Sequence, residues 1–150
     1  MELKLPPALL FLLFGFAMYI LATFLPFGFF DFFGRLLLFK IMLGFGGLVG
    51  LLSLFQFYRA KTTVDPTKPS KASNLVVNGI FKFSRNPMYL AMLLVLLALG
   101  LVLGNAFNTL IAAAFVGYMN RFQIIPEERI LLNKFGRTYK EYCTLTRRWF

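Results

Sequence analysis

Three long stretches of this 150-residue chain contain no Lys, Arg, Asp or Glu, and they constrain its fold more than any other feature. Residues 5–30 and 41–58 are each long enough for a membrane-spanning helix of about 20 residues. Residues 86–120 would extend about 52 Å as one straight helix, whereas the hydrocarbon core of a bilayer is about 30 Å thick. This third stretch must fold back, and its polar part 104–108 is the expected turn. The sequence therefore predicts an all-α membrane bundle of four spanning helices, with a tight hairpin between the third and the fourth.

The composition excludes several classes of protein. Hydrophobic residues make up 59% of the chain and charged residues 15%, which leaves too little polar surface for a soluble fold. The absence of histidine excludes His-ligated zinc or haem and every nucleophile that histidine activates. The single cysteine, Cys143, can form neither an internal disulfide nor a thiolate cluster, so no metal site is expected. The net charge of +10 does not indicate nucleic-acid binding, because the cations flank apolar stretches.

The Lys and Arg residues are distributed unequally between the two sides of the predicted bundle. Of the 16, 14 fall at Lys4, in the loop 59–85, or from Arg121 onward. The other two, Arg35 and Lys40, fall on the opposite side. Because short loops rich in Lys and Arg stay in the cytoplasm, both termini and the polar segments are expected on the cytoplasmic side.

We interpret the chain as a single membrane domain, 1–150. Its parts are helices one and two (1–58), a cytoplasmic loop (59–85), the helical hairpin (86–125) and a cytoplasmic cap (126–150). The Pro-, Thr-, Lys- and Ser-rich piece 62–71 of the loop is typical of an irregular segment that contacts anionic lipid headgroups. Apolar residues of the cap recur on one helical face among basic residues, which predicts an amphipathic helix at the membrane interface. Close helix packing is the expected role of four glycines in helix two: Gly44, Gly46, Gly47 and Gly50.

The start of the third helix is the first candidate site. Asn86 is a good N-cap residue and Pro87 suits the first helical position, so the helix should begin here with its free N–H groups facing the cytoplasm. Together with Arg85, such a helix start favours an anion. The alternative is an ordinary helix start beside an arginine that only marks the membrane boundary.

The second candidate site follows the fourth helix. Pro126 can begin a new helix, and Glu127 and Glu128 lie in its first turn. The helix dipole alone favours acidic residues there. The chain has only six acidic residues, however, and it places two of them at one membrane boundary, within plausible reach of Arg121 and Arg85. Such mixed charge beside apolar helices suits a zwitterionic ligand.

Both sites belong to one longer pattern, which runs over 79–148, about half of the chain. It consists of a Gly, an aromatic residue and Arg-Asn-Pro-x-Tyr, a hydrophobic hairpin, then Glu-Glu, Phe-Gly, two tyrosines three residues apart and a closing basic residue. The residues that carry it are Gly79, Phe83, Arg85, Asn86, Pro87, Tyr89, Glu127, Glu128, Phe135, Gly136, Tyr139, Tyr142 and Arg147 or Arg148. In order and spacing they resemble the superfamily of isoprenylcysteine carboxyl methyltransferases and phospholipid methyltransferases.

The resemblance implies an integral membrane methyltransferase that uses S-adenosylmethionine and releases S-adenosylhomocysteine. The cofactor would bind on the cytoplasmic side, between the hairpin and the cap. By position in the pattern, its site would consist of Arg85, Asn86, Pro87 and Tyr89 on one wall and Glu127 and Glu128 on the other. One of these carboxylates would bind the ammonium group of the cofactor. Catalysis is assigned to Glu128 and to Arg121, which would orient an anionic acceptor.

The resemblance and the apolar helices together indicate a lipophilic or membrane-associated methyl acceptor. Helices one and two, rich in Phe and Leu, would either shape a groove open to membrane lipids or serve only as anchors. The isoprenylcysteine enzymes often carry His where this chain has Asn86, and Asn cannot act as a base. A carboxylate or thiolate acceptor needs mainly alignment, whereas a protonated amine needs a base. Carboxyl O- or thiol S-methylation is therefore favoured over N-methylation of a phospholipid headgroup.

A small transporter and a non-catalytic membrane adaptor are the alternatives of another class. Proton-coupled transporters and cation pores usually carry an ionisable residue inside a span, and here only Lys40 qualifies, near a helix end. An adaptor would leave the two linked motifs unexplained. The sequence indicates no oligomeric state.

Overall fold

A computed structural model of the protein describes residues 3, 5–25, 27–60 and 74–150. These residues form five α-helices and two short helical turns. In chain order the elements are α1 (Pro7–Phe24), α2 (Arg35–Arg59), a 3₁₀ turn (Gly79–Lys82), α3 (Pro87–Leu103), α4 (Asn108–Met119), a π turn (Asn120–Ile124) and α5 (Ile125–Leu145). The described ranges contain no β-strand, which confirms the all-α prediction. Lys4 and the piece 62–71, for which lipid contact is predicted, lie outside the described residues.

Helices α1 and α2 are long and apolar enough to cross a membrane, with mean hydropathies of 2.1 and 2.0. Most of their large side chains are exposed, for example Phe16 and Leu51, which suits contact with lipid tails. Helix α3 is also apolar but has 17 residues, and α4 has 12 before the π turn. By length and composition two helices are therefore candidate spans, and the four-span arrangement stays a prediction.

The hairpin between α3 and α4 turns in the polar stretch where the sequence predicts it. Helix α3 ends at Leu103, and Gly104 follows in a left-handed conformation with φ 64°, which favours glycine. The side chain of Asn105 is buried, and its amide donates a hydrogen bond of 2.8 Å to the backbone oxygen of Leu25. This bond ties the hairpin turn to the connection between α1 and α2.

Helix α3 lies at the centre of the bundle and packs against α1, α2 and α4. Leu96 of α3 and Phe115 of α4 are fully buried in the main hydrophobic core, to which α1 contributes Met18. At the N-terminal end of α3, Pro87 and Tyr89 are also buried. Both belong to the first candidate site.

The glycines of α2 differ in their role. A Cβ atom at Gly46 would lie 3.1 Å from the Cβ of Leu94, so α2 and α3 approach closely only because this residue is small. Gly50 also faces α3, at an ordinary contact distance. At Gly44 and Gly47 an added Cβ would meet nothing within 4 Å. The predicted packing role therefore holds for two of the four glycines.

The cap forms the helix α5, as the sequence predicts, but this helix has a break that the periodicity does not predict. Gly136 interrupts α5 with φ 53° and ψ −123°, a conformation that a Cβ disfavours, and the helix ends at Leu145. Beyond Gly136, Tyr139 and Tyr142 pack with Phe81 of the 3₁₀ turn, and the hydroxyl of Tyr142 donates to the backbone oxygen of Phe81 over 2.6 Å. The Phe-Gly and two-tyrosine parts of the motif thus fold the cap against the segment before α3.

Candidate functional site

The first turn of α3 begins at Pro87, as the sequence predicts, but Asn86 does not cap it in the expected way. Asn86 occupies the N-cap position, yet its side chain forms no hydrogen bond with an N–H group of the helix. Its amide instead donates to the backbone oxygen of Arg148, 3.0 Å away. The reason is that the chain beyond α5 returns to this place and offers a carbonyl acceptor. The free N–H groups at the start of α3 consequently keep no side-chain cap.

The C-terminal segment, 146–150, is held against the start of α3 by further hydrogen bonds. The backbone N–H of Arg85 donates to the backbone oxygen of Arg147 over 2.9 Å, and the hydroxyl of Ser84 donates to that of Arg148 over 3.1 Å. The indole N–H of Trp149 donates to the side-chain oxygen of Asn120, 3.0 Å away in the π turn. The C-terminal segment therefore joins the start of α3 to the junction of α4 and α5.

Glu128 lies between two arginines that come from distant parts of the chain. Its Oε1 atom lies 3.0 Å from a terminal nitrogen of Arg85. Arg148 contacts both oxygens in a bidentate arrangement, with Nε donating to Oε1 over 2.9 Å and the Nη2 nitrogen donating to Oε2 over 2.8 Å. We call Arg85, Glu128 and Arg148 the ion network. Its two guanidinium groups and one carboxylate leave one net positive charge beside the N-terminus of α3.

Glu127 has a different environment from its neighbour. Its Oε1 atom accepts a short hydrogen bond from the hydroxyl of Tyr89 in the first turns of α3. Burial raises the pKa of the Glu127 carboxyl to about 8; the bond from Tyr89 opposes this shift, and the charge of Glu128 adds to it. At neutral pH, Glu127 is therefore mainly a neutral carboxylic acid, whereas Glu128 is matched by two cations.

Two tyrosines of the cap lie near the ion network. Burial raises the pKa of Tyr139, and the charge of Glu128 contributes in the same direction. Burial also raises the pKa of Tyr142, against the opposing effect of Arg85. Both phenols therefore remain protonated at neutral pH and do not serve as bases there.

Arg121 lies apart from the other predicted site residues. It is exposed in the π turn, and in the described part of the chain its side chain forms no ion pair with Glu127 or Glu128. The structure thus brings Arg85 to Glu128 and leaves Arg121 exposed. A π turn at this point shifts the direction of side chains, which helical spacing alone does not reveal.

Arg148 was not assigned to the site from the sequence. The only signal was the basic residue that closes the motif, which fits Arg147 and Arg148 equally well. The structure distinguishes them, because Arg147 is exposed while Arg148 contacts Glu128. In the described ranges no group of three or more His, Cys, Asp or Glu side chains could hold a metal ion.

An apolar cavity of about 200 Å³ lies beside the first turns of α3, between this helix, α1 and α2. Met88 and Met92 of α3 line it together with Phe11 and Leu54, and its surface is almost entirely apolar. Met88 directly precedes Tyr89, the partner of Glu127. The apolar cavity therefore lies against α3, the helix that carries Tyr89.

The chain is similar to proteins of a methyltransferase family. Residues 35–138 match the phospholipid methyltransferase family. The chain is 28% identical over 103 residues to the protein-S-isoprenylcysteine O-methyltransferase of Schizosaccharomyces pombe, which covers 63% of this chain and 44% of that protein. It is 47% identical over 62 residues to an uncharacterized protein of Haemophilus influenzae, covering 41% of this chain and 98% of that protein. No solved structure matches the chain.

The match to the family model covers more than half of the chain and includes α2, α3, α4 and most of α5. The fold and the comparisons together define a helical membrane protein of the methyltransferase class. The chain belongs to the phospholipid methyltransferase family. It spans less than half the length of its yeast relative.

Proposed function

We propose that the protein is an S-adenosylmethionine-dependent methyltransferase that acts on a lipophilic acceptor at the membrane surface. The observation that carries this proposal is the ion network at the start of α3, in a chain of a methyltransferase family. A carboxylate and two guanidinium groups at a helix N-terminus match the ammonium and carboxylate groups of an amino-acid ligand. The cytoplasmic location of this site is also part of the proposal, from the positive-inside distribution of Lys and Arg.

The donor set of the site fits the proposed cofactor. The Nε atom of Arg85 is buried and has no hydrogen-bond partner among the described residues, so a donor is left for a ligand. Glu128 would bind the ammonium group, and Asn86, Pro87 and Tyr89 would form the facing wall. When bound, S-adenosylmethionine supplies a methyl group on a sulfonium, which is open to in-line displacement.

Glu127 would have a separate role from Glu128. As a buried and mainly neutral acid paired with Tyr89, it is a poor partner for an ammonium ion but a good hydrogen-bond donor. This favours Glu128 over Glu127 as the ligand of the ammonium group. It also leaves the site without a strong base at neutral pH.

We propose that the acceptor carries an apolar chain and a carboxylate or thiolate. The apolar cavity between α1, α2 and α3 would receive part of the chain, next to the polar site. Arg121, exposed in the π turn, would attract the anionic group. A carboxylate or thiolate arrives ionised and needs alignment and desolvation rather than a base.

N-methylation of a phospholipid headgroup is the second candidate, because the matched family is described as phospholipid methyltransferase. A protonated amine must lose a proton before it attacks. Glu127 would have to accept that proton, which it does readily only above its pKa of about 8. With an amine acceptor, we therefore expect the rate of methyl transfer to rise strongly as the pH increases into the alkaline range.

Transfer of a radiolabelled methyl group tests the proposal and separates the two acceptor types. The purified protein would receive labelled S-adenosylmethionine with either an S-prenylated N-acetylcysteine or phosphatidylethanolamine in lipid micelles. We expect label in the prenylated acid, released by mild alkali as an ester would be, and much less label with Glu128→Gln when the cofactor is below saturation. Alkali-stable label in phosphatidylethanolamine would support the second candidate. No transfer to either acceptor by folded protein would contradict both.

A further inference from the structure

The carboxylate of Glu128 already has three close contacts with guanidinium nitrogens of the protein. Arg148 contacts both of its oxygens and Arg85 contacts Oε1, at 2.8 to 3.0 Å. A carboxylate has about four acceptor positions, so both positions of Oε1 are occupied and one remains on Oε2. If Glu128 binds the ammonium group of a cofactor through both oxygens, one guanidinium group must withdraw from Oε1.

The two arginines differ in how easily they could withdraw. The side chain of Arg85 is 12% exposed, and it lies next to the start of α3 in the interior of the site. The side chain of Arg148 is 41% exposed and follows α5 in the non-helical C-terminal segment. The Arg148 side chain can therefore rotate toward solvent, whereas the Arg85 side chain is mostly enclosed by the protein.

The backbone around Arg148 is fixed independently of its side chain. Its carbonyl oxygen accepts hydrogen bonds from Ser84 and Asn86, and Trp149 is bonded to Asn120. These bonds hold the backbone of Arg148 in place. When its guanidinium group leaves Glu128, the group therefore stays within one side-chain length of Glu128. The freed group would remain at the rim of the site and would need an anionic partner.

We propose that Arg148 is a cofactor-binding residue and that the amino-acid group of the cofactor inserts into the Glu128–Arg148 ion pair. This proposal rests on the proposed function. Glu128 exchanges the guanidinium group of Arg148 for the ammonium group, and Arg148 binds the carboxylate. The ammonium group of the cofactor then contacts Glu128, and its carboxylate contacts Arg148. Guanidinium suits this role because its two parallel N–H donors match a carboxylate, as they match Glu128 in the free protein.

The exchange would leave Glu128 paired at every stage. An unpaired carboxylate in a partly buried site is costly, so Arg148 compensates Glu128 until a ligand arrives. It also predicts selectivity, since a ligand that carries the ammonium but not the carboxylate would displace Arg148 without giving it a new partner. Such a ligand should bind less tightly.

A calorimetric comparison of two ligands tests this proposal without any dependence on activity. The ligands are S-adenosylhomocysteine and its decarboxylated analogue, which retains the ammonium group. Arg148→Ala is the test variant, and Arg147→Ala is the matched control, because it removes the same charge from an exposed neighbouring side chain. Folding of each variant is checked by thermal unfolding without ligand.

The protein and the Arg147→Ala control should bind S-adenosylhomocysteine at least about tenfold more tightly than the analogue, as expected for a charge-assisted hydrogen-bonded pair. In Arg148→Ala the preference for S-adenosylhomocysteine over the analogue should vanish. The analogue should bind at least as tightly as before, because Arg148 no longer competes with its ammonium group for Glu128. Should Arg148→Ala fail to fold, Arg148→Lys keeps the charge without the bidentate donors, and its preference should be reduced.

Three results would overturn the proposal in distinguishable ways. An unchanged preference in folded Arg148→Ala would show that the carboxylate binds elsewhere. An equal loss of affinity for both ligands would show that Arg148 only supports the structure of the site. If the unaltered protein bound neither ligand, the proposed function itself would fail, and the exchange with it.

Discussion

Two adjacent glutamates, Glu127 and Glu128, have different environments in the folded protein. The sequence places them together in a first helical turn and gives no basis for separating their roles. Burial keeps Glu127 mainly neutral despite its hydrogen bond from Tyr89, whereas Glu128 faces two guanidinium groups. The difference depends on which distant residues fold against each carboxyl, so it could not be predicted from local spacing.

Replacing Glu128 should weaken cofactor binding. Glu128→Gln removes the charge that would bind an ammonium group, and the loss of such a charged hydrogen bond is expected to cost about tenfold or more in affinity. Calorimetric titration with S-adenosylhomocysteine measures this change. Glu141→Gln is the control, since Glu141 is an exposed acid whose partner, Arg137, is also exposed. Unchanged affinity in folded Glu128→Gln would contradict the assignment of the site.

The thermal stability of the protein should depend on pH through Glu127. Its pKa is about 8 in the folded protein and near 4.5 when unfolded, so the folded state holds the extra proton between these values. Stability should therefore fall as the pH rises from about 4.5 to about 8. The chain has no histidine to titrate in this range.

Glu127→Gln isolates that contribution, because the amide resembles the protonated acid and still accepts a hydrogen bond from Tyr89. The melting temperature of this variant should change much less between pH 5 and about 8 than that of the unaltered protein. Glu141→Gln should keep the original dependence. The same pH dependence in Glu127→Gln and the unaltered protein would show that Glu127 is not the group responsible.

At the scale of elements, local signals located most of the boundaries. Pro87 begins α3, Gly104 ends it, and the polar stretch after it forms the hairpin turn. These features depend on residues within one or two turns, and for that reason the sequence predicts them well. The break at Gly136 and the π turn depend on how the cap folds against α3, and periodicity alone predicted neither.

Close packing of α2 on α3 should be sensitive to the size of residue 46. A leucine at Gly46 would overlap Leu94 and Val95 of α3, and overpacking of this kind costs roughly 1–3 kcal/mol. Gly47→Leu adds the same side chain where nothing lies within 4 Å. We therefore expect a lower melting temperature for Gly46→Leu than for Gly47→Leu. Equal melting temperatures would indicate that α2 does not pack on α3 in this way.

The whole molecule combines an apolar bundle with a polar site at one end. The apolar stretches predict the membrane helices because composition alone determines which residues can face lipid. The sequence analysis expected Arg85 near the two glutamates, but it did not assign Arg148 to the site. Arg148 lies 63 positions after Arg85 and reaches Glu128 only because the C-terminal segment returns to α3.

The predicted orientation can be tested with single cysteines in a Cys143→Ser background. Phe33→Cys lies in the exposed connection between α1 and α2, and Phe150→Cys lies at the exposed C-terminus. In sealed vesicles of known orientation, a membrane-impermeant maleimide should label the two positions from opposite sides, with residue 150 on the cytoplasmic side. The predicted bundle has three spans between residues 33 and 150. Labelling of both positions from the same side would contradict this arrangement.

Calorimetric titration of the detergent-purified protein with S-adenosylmethionine and S-adenosylhomocysteine, with ATP as the control nucleotide, measures directly whether the protein binds the proposed cofactor. We expect saturable binding of the first two ligands and none of ATP, because the proposed site would recognise an amino-acid group that ATP lacks. Folded protein that binds neither S-adenosyl ligand would contradict the account and favour a membrane adaptor or transporter.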